Sequence, residues 1–409
     1  MAKKMTKKQR REIEKVAKKH PVLITVILLI IVAIGVCCFL HWKGIIHIPF
    51  LDKIIPQQQE DDIDEPLDID AVGGTFTEAT VTEIKSGDVS IHFLELGNKY
   101  TGDCTLIKVG DTEVLIDAGS IKSSAATIVP YVRQYCTDGV LEYVIATHAH
   151  QDHIAGFVGT TKADGVLESF VCETIIDYAL SDSKADIRTE YEELRDEEVK
   201  AGAKHYTALE CVQGINGAQS VYTLGEGVTL KILDQRFYSE KAEDENDYSV
   251  CTLLTEKYAG GENNYLFTGD LEADGEASLL EKNKDLPKCR LFKAGHHGSV
   301  SSSSEALLAK IQPDIVTVCC CCGSDKYTDA VENQFPTQAF VDRVAPYTSQ
   351  VYVTTIVADN KDGYESMNGN IVIVSLNGEI KVRCSNNVTL FKDTDWFKKH
   401  RTTPKAWAS

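Results

Sequence analysis

The strongest constraint on the fold of this chain is a heptapeptide, Thr147-His148-Ala149-His150-Gln151-Asp152-His153, placed directly after the apolar run Leu141 to Ala146. Three imidazoles and one carboxylate on a loop leaving a strand offer the nitrogen and oxygen donors that Zn²⁺ or Mn²⁺ prefers. An ordinary solvated loop would not gather three of the chain's 11 histidines at this spacing. The rest of the chain must therefore build a rigid frame that presents this loop, with further donors brought to it from elsewhere.

After Asp88 short β-rich runs alternate with helical ones, the pattern of a folded α/β domain. The pattern predicts strands at 90–96, 112–116, 141–146, 228–233, 249–255, 264–268, 315–320 and 371–375, and helices at 125–136, 186–201, 304–311 and 337–344. The acidic 186–201 helix is expected as a surface insertion over one edge. Of 13 cysteines, Cys37 and Cys38 fall in an apolar segment, and Cys172, Cys251 and Cys289 sit among apolar residues where a free thiol behaves as a small hydrophobe. The run Cys319 to Cys322 continues a strand-like stretch. Neighbours on a strand point to opposite faces, so the four thiols are expected to pack rather than converge on one ion.

Three further motifs carry acids and imidazoles: Thr112-Glu-Val-Leu-Ile-Asp117, Leu266-Phe-Thr-Gly-Asp270 and Lys293-Ala-Gly-His296-His297-Gly-Ser299. Together with the heptapeptide they resemble the ordered motifs of the metallo-β-lactamase superfamily. Phe93-Leu-Glu-Leu-Gly97, Gly102-Asp103 and the serines 301 to 304 make the resemblance closest to the hydrolase domain of ComEC-type competence proteins. A secreted phosphorylcholine esterase is built similarly. The resemblance implies an α/β fold, the αββα metallo-β-lactamase sandwich, and two divalent metal ions, Zn or Mn. It makes His148 and His150 ligands of the first ion, and Asp152 and His153 ligands of the second. Asp270 would bridge the two, and His296 would complete the second site. His297 is the other contender there and, with Asp117 and Asp152, a candidate catalytic residue. Asp117 resembles the carboxylate that orients a ligand or the metal-bound water. With a metal-activated water as nucleophile, Ser299 and the serines after it are expected as loop formers or helix caps.

The sequence departs from that pattern in three places. Where the superfamily has a third histidine for the first ion, this chain reads Glu245-Asn246-Asp247-Tyr248-Ser249, a lack the ComEC-type proteins share, leaving solvent with Asp247 or Asn246 nearby. A histidine expected near the scissile phosphate is Phe335, and Tyr327-Thr-Asp stands where the competence proteins carry Tyr-Gly-His-Pro. A complete competence protein also has a many-helix membrane channel.

The chain offers one candidate span. Pro21 to Leu40 holds 20 residues without a charge, enough at about 1.5 Å per residue to cross a bilayer. Basic residues from Lys3 to Lys19 before it and Trp42 after it place the amino terminus in the cytoplasm. The expected organisation is a basic cytoplasmic segment at 1–20, a single amino-terminal transmembrane helix at 21–42, an acidic stalk at 43–87, a hydrolase domain at 88–385 and a solvated tail at 386–409. Residues 1–20 hold nine of the 42 basic residues and two of the 61 acidic ones, so the remainder carries 33 against 59, a net of −26. So acidic a body repels nucleic acid at long range. The expected substrate is a small phosphoester or a cell-envelope component, with DNA disfavoured by charge. The membrane is the expected partner through 21–42, and protein partners are left open.

Overall fold

The structure, a computed structural model, describes residues 88–358 and 363–408. The expected transmembrane helix at 21–42, the basic segment and the stalk lie outside the described residues. Among those described, no helix is long and apolar enough to cross a membrane.

Two eight-stranded sheets stack face to face within the described residues. The first runs Glu379–Cys384, Ile371–Leu376, Val89–Phe93, Thr105–Val109, Thr112–Ile116, Val140–Ala146, Val171–Asp177 and Lys204–Thr207 from edge to edge. The second runs Tyr364–Ser366, Val351–Val357, Ile315–Cys322, Leu291–Lys293, Gly261–Phe267, Thr252–Tyr258, Val228–Ile232 and Val221–Gly225. Each sheet joins a block of parallel strands to an antiparallel block. Thr112–Ile116, Val140–Ala146, Val171–Asp177 and Lys204–Thr207 are parallel in the first, and Gly261–Phe267, Leu291–Lys293, Ile315–Cys322 and Val351–Val357 in the second.

The strands that are apolar throughout are apolar because both of their faces are covered. Val114 and Ile116 pack between the sheets against Leu230, Leu254, Tyr265 and Phe267. Leu115, one residue out of phase, packs outward under Ile128, Val132 and Ile154 of two covering helices, Ala125–Tyr135 and Gln151–Val158. Outside the second sheet Phe292, Val316 and Val318 meet Leu279, Leu307, Leu308 and Phe340 from three more helices. The order of layers is thus helices, sheet, sheet, helices. The cysteine run obeys the same alternation: Cys319 faces the space between the sheets, while Cys320 and Cys322 face the outer helices.

Two of the departures from expectation have a plain physical reason. The strand expected from 249 begins at Thr252, because Val250 donates its N–H to Thr147 O (2.9 Å) and Ser249 Oγ accepts the Asp270 N–H (3.1 Å), which draws the segment onto the heptapeptide. The tail beyond 385 is packed rather than solvated. Phe391, Phe397 and Trp407 are buried, Trp407 Nε1 donates to Thr348 O (2.9 Å), and Arg401 donates to Gln334 O (2.6 Å) and Pro336 O (2.9 Å). The acidic helix Asp186–Ala201 buries only Ile187 and Tyr191 and is tied down by Arg195, whose Nη1 lies 2.8 Å from Asp177 Oδ2.

Candidate metal centre

The chemistry-bearing residues lie at the carboxyl ends of the parallel strands, where the two sheets open toward the same rim. From the first sheet come Asp117, just after Thr112–Ile116, and the heptapeptide, just after Val140–Ala146. From the second come Asp270, after Gly261–Phe267, then Lys293 at the end of its strand and His297 in the loop beyond.

Backbone strain accompanies this placement. Asp117 sits at φ 60°, and His296 and His297 occupy consecutive left-handed positions at φ 43° and 54°. Such conformations cost about 1–3 kcal/mol each and persist where the surroundings impose them. Gly119 allows the Asp117 loop to press on the heptapeptide: a Cβ there would fall 1.5 Å from Asp152 O.

Asp152, His153, Asp270 and His297 each bring one donor atom within 4.8 Å of the others, and all four residues are buried. His153 Nε2 and His297 Nε2 both lie 3.0 Å from Asp270 Oδ2, and His297 Nε2 lies 3.5 Å from Asp152 Oδ2. Yet His153 Nε2, His297 Nε2 and Asp270 Oδ1 find no hydrogen-bond partner among the described residues. Buried polar atoms left in this way are costly unless something joins them. Two imidazole nitrogens and two carboxylates facing one point form a donor set that fits a divalent transition metal.

The opposite ring nitrogens are fixed from behind. Asp117 Oδ2 lies 2.8 Å from His153 Nδ1 and accepts the Thr147 hydroxyl (2.8 Å), while its Oδ1 accepts the Thr147 N–H (2.8 Å). His297 Nδ1 lies 2.8 Å from Cys319 O and 3.2 Å from Asp103 Oδ1. Asp103 is ion-paired with Lys293, whose Nζ also lies 3.5 Å from Asp270 Oδ1. These partners hold each ring with Nε2 directed at the cluster, as outer partners of metal-ligating histidines do.

The electrostatics follow from burying four carboxylates together. Burial opposes charge on His153 and His297, yet Asp270 and Asp117 hold His153, and Asp270 and Asp103 hold His297, well above the usual imidazole range. The same pairs outweigh burial at Asp270 and Asp152 and keep both carboxyls well below theirs. The cluster is a sink for positive charge. His148 differs: burial first, then His153 and His150, drives it well below the usual range, so it stands neutral with a lone pair to offer.

His148 and His150 form an adjoining pair, with His148 Nε2 3.0 Å from His150 Nδ1 and the His148 and His153 rings 4.1 Å apart. No acid from the 245–249 stretch joins them. Asp247 instead accepts the N–H groups of Glu272 and Gly275 (3.1 Å each) at the start of the Ala273–Lys282 helix, and burial pushes its carboxyl up to about 6. Ser249 Oγ, 3.4 Å from His148 Nδ1, is the side chain that the stretch contributes. The doubled histidine resolves the other way from expectation. His296 turns its Nδ1 to Glu272 (3.0 Å) and is partly exposed, while the fully buried His297 stands in the cluster.

Sequence reasoning named Asp103 and Tyr327 within motifs but gave neither a role in the site: Asp103 is the tie behind His297, and the Tyr327 hydroxyl donates to Asp152 Oδ2 (2.6 Å). The traces they leave in the sequence are Gly102-Asp103, with Lys293 in a separate motif, and Tyr327-Thr-Asp after the cysteine run. Burial, with Asp152 alongside, pushes the Tyr327 phenol well above its ordinary range. Phe335, at the position expected to carry a histidine, has its ring 5.7 Å from those of both His296 and His297.

Residues 97–168, which hold Asp103, Asp117 and the heptapeptide, match the family model described as Metallo-beta-lactamase superfamily. The chain is similar to Recombination protein 2 of Haemophilus influenzae, 25% identical over 286 residues that make up 69% of this chain and 29% of that one. It is also similar to ComE operon protein 3 of Bacillus subtilis, 26% identical over 175 residues, 42% of this chain and 19% of the relative. This chain thus spans less than a third of the length of either. Among solved structures, the metallo-beta-lactamase fold protein YhfI from Bacillus subtilis is 14% identical, covering 66% of this chain and 96% of its own at a TM-score of 0.39. The resemblance read from the motifs agrees with these comparisons: residues 97–168 match the metallo-β-lactamase family model, and the curated proteins to which the chain is similar include competence proteins.

Proposed function

We propose that this chain is a metal-dependent phosphoesterase, most readily a phosphodiesterase, that acts outside the cytoplasm and is anchored by residues 21–42. The observation that carries the reading is the cluster of Asp152, His153, Asp270 and His297, buried, mutually within 4.8 Å and short of hydrogen-bond partners at its inward atoms. These four would hold one divalent ion; His148 and His150, with Asp270 shared, would hold a second, zinc or manganese in each case. When bound, such a pair supplies a Lewis acid and a water acidified toward neutrality.

The chain's own groups do the rest. Asp117 and Asp103 fix the orientation of His153 and His297. Lys293 keeps a positive charge beneath Asp270, so that the buried carboxylates are partly balanced without any substrate contact. Asp152 and Asp270, held in the charged form, would offer their lone pairs to the ion.

The names of the relatives favour a second reading, a nuclease acting on extracellular DNA, since Recombination protein 2 is named for a process on DNA. Two experiments test these readings. The full chain, purified without chelator and reconstituted with zinc or manganese, is expected to hold close to two ions and to cleave phosphodiesters in a screen of phosphomonoesters, phosphodiesters, DNA, teichoic-acid fragments and lactones. A chain that takes up no metal sinks both readings, and a metal-loaded chain that cleaves only lactones sinks the phosphoesterase. For the anchor, protease added to intact cells is expected to remove the domain from about Asp61 onward. Protection in intact cells with cleavage in inverted vesicles reverses the orientation.

A further inference from the structure

We propose that Tyr327 is a substrate-facing hydrogen-bond donor of this site, placed to hold the leaving-group oxygen of a bound phosphoester, and not a prop for Asp152. The inference rests on the phosphoesterase reading and specifies how that site would choose among esters.

Tyr327 leaves 49% of its surface exposed, yet its hydroxyl is turned inward. The oxygen lies 2.6 Å from Asp152 Oδ2 and 3.2 Å from Thr101 O. A phenol has one O–H and serves one acceptor at a time, so donating to a substrate oxygen means giving up Asp152 Oδ2, and Thr101 O shows that a second acceptor already lies within its sweep. Asp152 Oδ2 also lies 3.5 Å from His297 Nε2, which places the phenol oxygen at the donor cluster itself.

The segment that carries Tyr327 is built rather than loose. Gly323 N–H donates to Phe335 O (3.1 Å), Ser324 Oγ donates to Lys99 O (2.8 Å), and Arg401 donates to Gln334 O (2.6 Å). The Phe335 ring, 5.8 Å from that of Tyr327, backs the phenol on the side facing His296 and His297. A histidine at 335 would bring a titratable donor to this wall; phenylalanine leaves Tyr327 as its hydroxyl donor.

Physical chemistry gives such a donor a definite task. Charge accumulates on the departing oxygen as its bond to phosphorus breaks, and a preorganised donor aimed there stabilises the transition state more than the bound ester. The benefit grows with the basicity of the leaving group. An alkoxide needs the donor, whereas p-nitrophenolate leaves well without it. A neutral phenol also adds no charge, which suits a site already crowded with carboxylates and imidazoles.

The test is Tyr327→Phe in the full chain, which keeps the ring against Phe335 and removes only the hydroxyl. Zinc or manganese content and thermal unfolding are measured beside kcat/KM for bis(p-nitrophenyl) phosphate and for a dialkyl phosphodiester. Metal content and unfolding should match wild type, activity on the dialkyl ester should fall about 10–100-fold, and activity on the p-nitrophenyl ester should fall less than about threefold. Loss of bound metal, or equal losses on the two esters, overturns the proposal, because those are the signs of a prop for Asp152. A metal-loaded wild type that cleaves neither ester instead brings down the phosphoesterase reading beneath it, so the two failures are distinct.

Discussion

Replacing Asp117 by Asn keeps the outline of the side chain while turning one of its acceptor atoms into a donor. Three donors meet that carboxylate, the Thr147 N–H and hydroxyl and the His153 ring, so an Asn leaves at least one donor facing another. The expected result is a 10–100-fold loss, in order of magnitude, of metal affinity or activity, measured by competition with a chromophoric chelator. Unchanged affinity and activity would remove Asp117 from the site. The doubled histidine gives a sharper comparison: His297→Ala should lose the ion held with Asp152 and His153, whereas His296→Ala should keep its metal, by elemental analysis of each variant. The reverse result would put His296 in the cluster. The heptapeptide was legible in the sequence because its donors are local and its spacing repeats a strand-then-loop geometry. The choice between His296 and His297 was not, since it turns on two consecutive left-handed residues that aim adjacent side chains to opposite sides. Asp103 was equally hidden, being a useful acid only once the Lys293 strand is stacked beside it.

Just beyond His297, the serine-rich loop gains its shape from two side chains on neighbouring helices. Glu276 accepts the N–H groups of Ser303 (2.6 Å) and Ser304 (2.7 Å), and Arg343 donates to the carbonyls of Ser299, Ser302 and Ser303. Burial pushes the Glu276 carboxyl from 4.5 up to about 7 despite those donors. A carboxyl raised on folding means that the folded chain binds more protons than the unfolded one, so this group's contribution to stability falls as pH rises from 4.5 through about 7. Glu276→Gln, which cannot ionise, should flatten that part of the pH dependence, checked by urea unfolding of both proteins at about pH 5 and about pH 8. Parallel slopes in the two proteins would assign the pH dependence elsewhere. Among the elements, the helices at 304–311 and 337–344 were legible; Ser304 takes the cap role expected of the serines, accepting the Leu307 N–H (3.3 Å), and Thr337 does the same for Phe340 (3.2 Å). The strand Thr105–Val109 was not, because Lys108 within it looks like a surface residue until it is paired with Glu113 across the ladder. Nor was the packed tail, whose Phe391, Phe397 and Trp407 are spaced too irregularly to announce a helix face.

On the scale of the whole molecule, charge and fold bear on substrate in different ways. Beyond residue 20 the chain holds 33 basic and 59 acidic residues, a net of −26, while duplex DNA carries one charge per roughly 1.7 Å. Bis(p-nitrophenyl) phosphate or a phosphorylcholine-type ester is therefore expected to be cleaved faster than duplex or single-stranded DNA at matched scissile-bond concentration and moderate salt. Robust metal-dependent cleavage of DNA at physiological salt, lost in His148→Ala and faster than the small ester, would promote the nuclease instead. The sandwich itself carries a separate consequence. Of the four residues in the cluster, two hang from one sheet and two from the other, and the distance between the sheets is set away from the rim by contacts such as Tyr143 against Tyr222, whose rings lie 5.3 Å apart. The ion pocket is in effect a gauge of the gap between the two sheets. A substitution deep in that gap, touching no donor and leaving every strand intact, would first be felt as a metal that slips out, well before the chain unfolds.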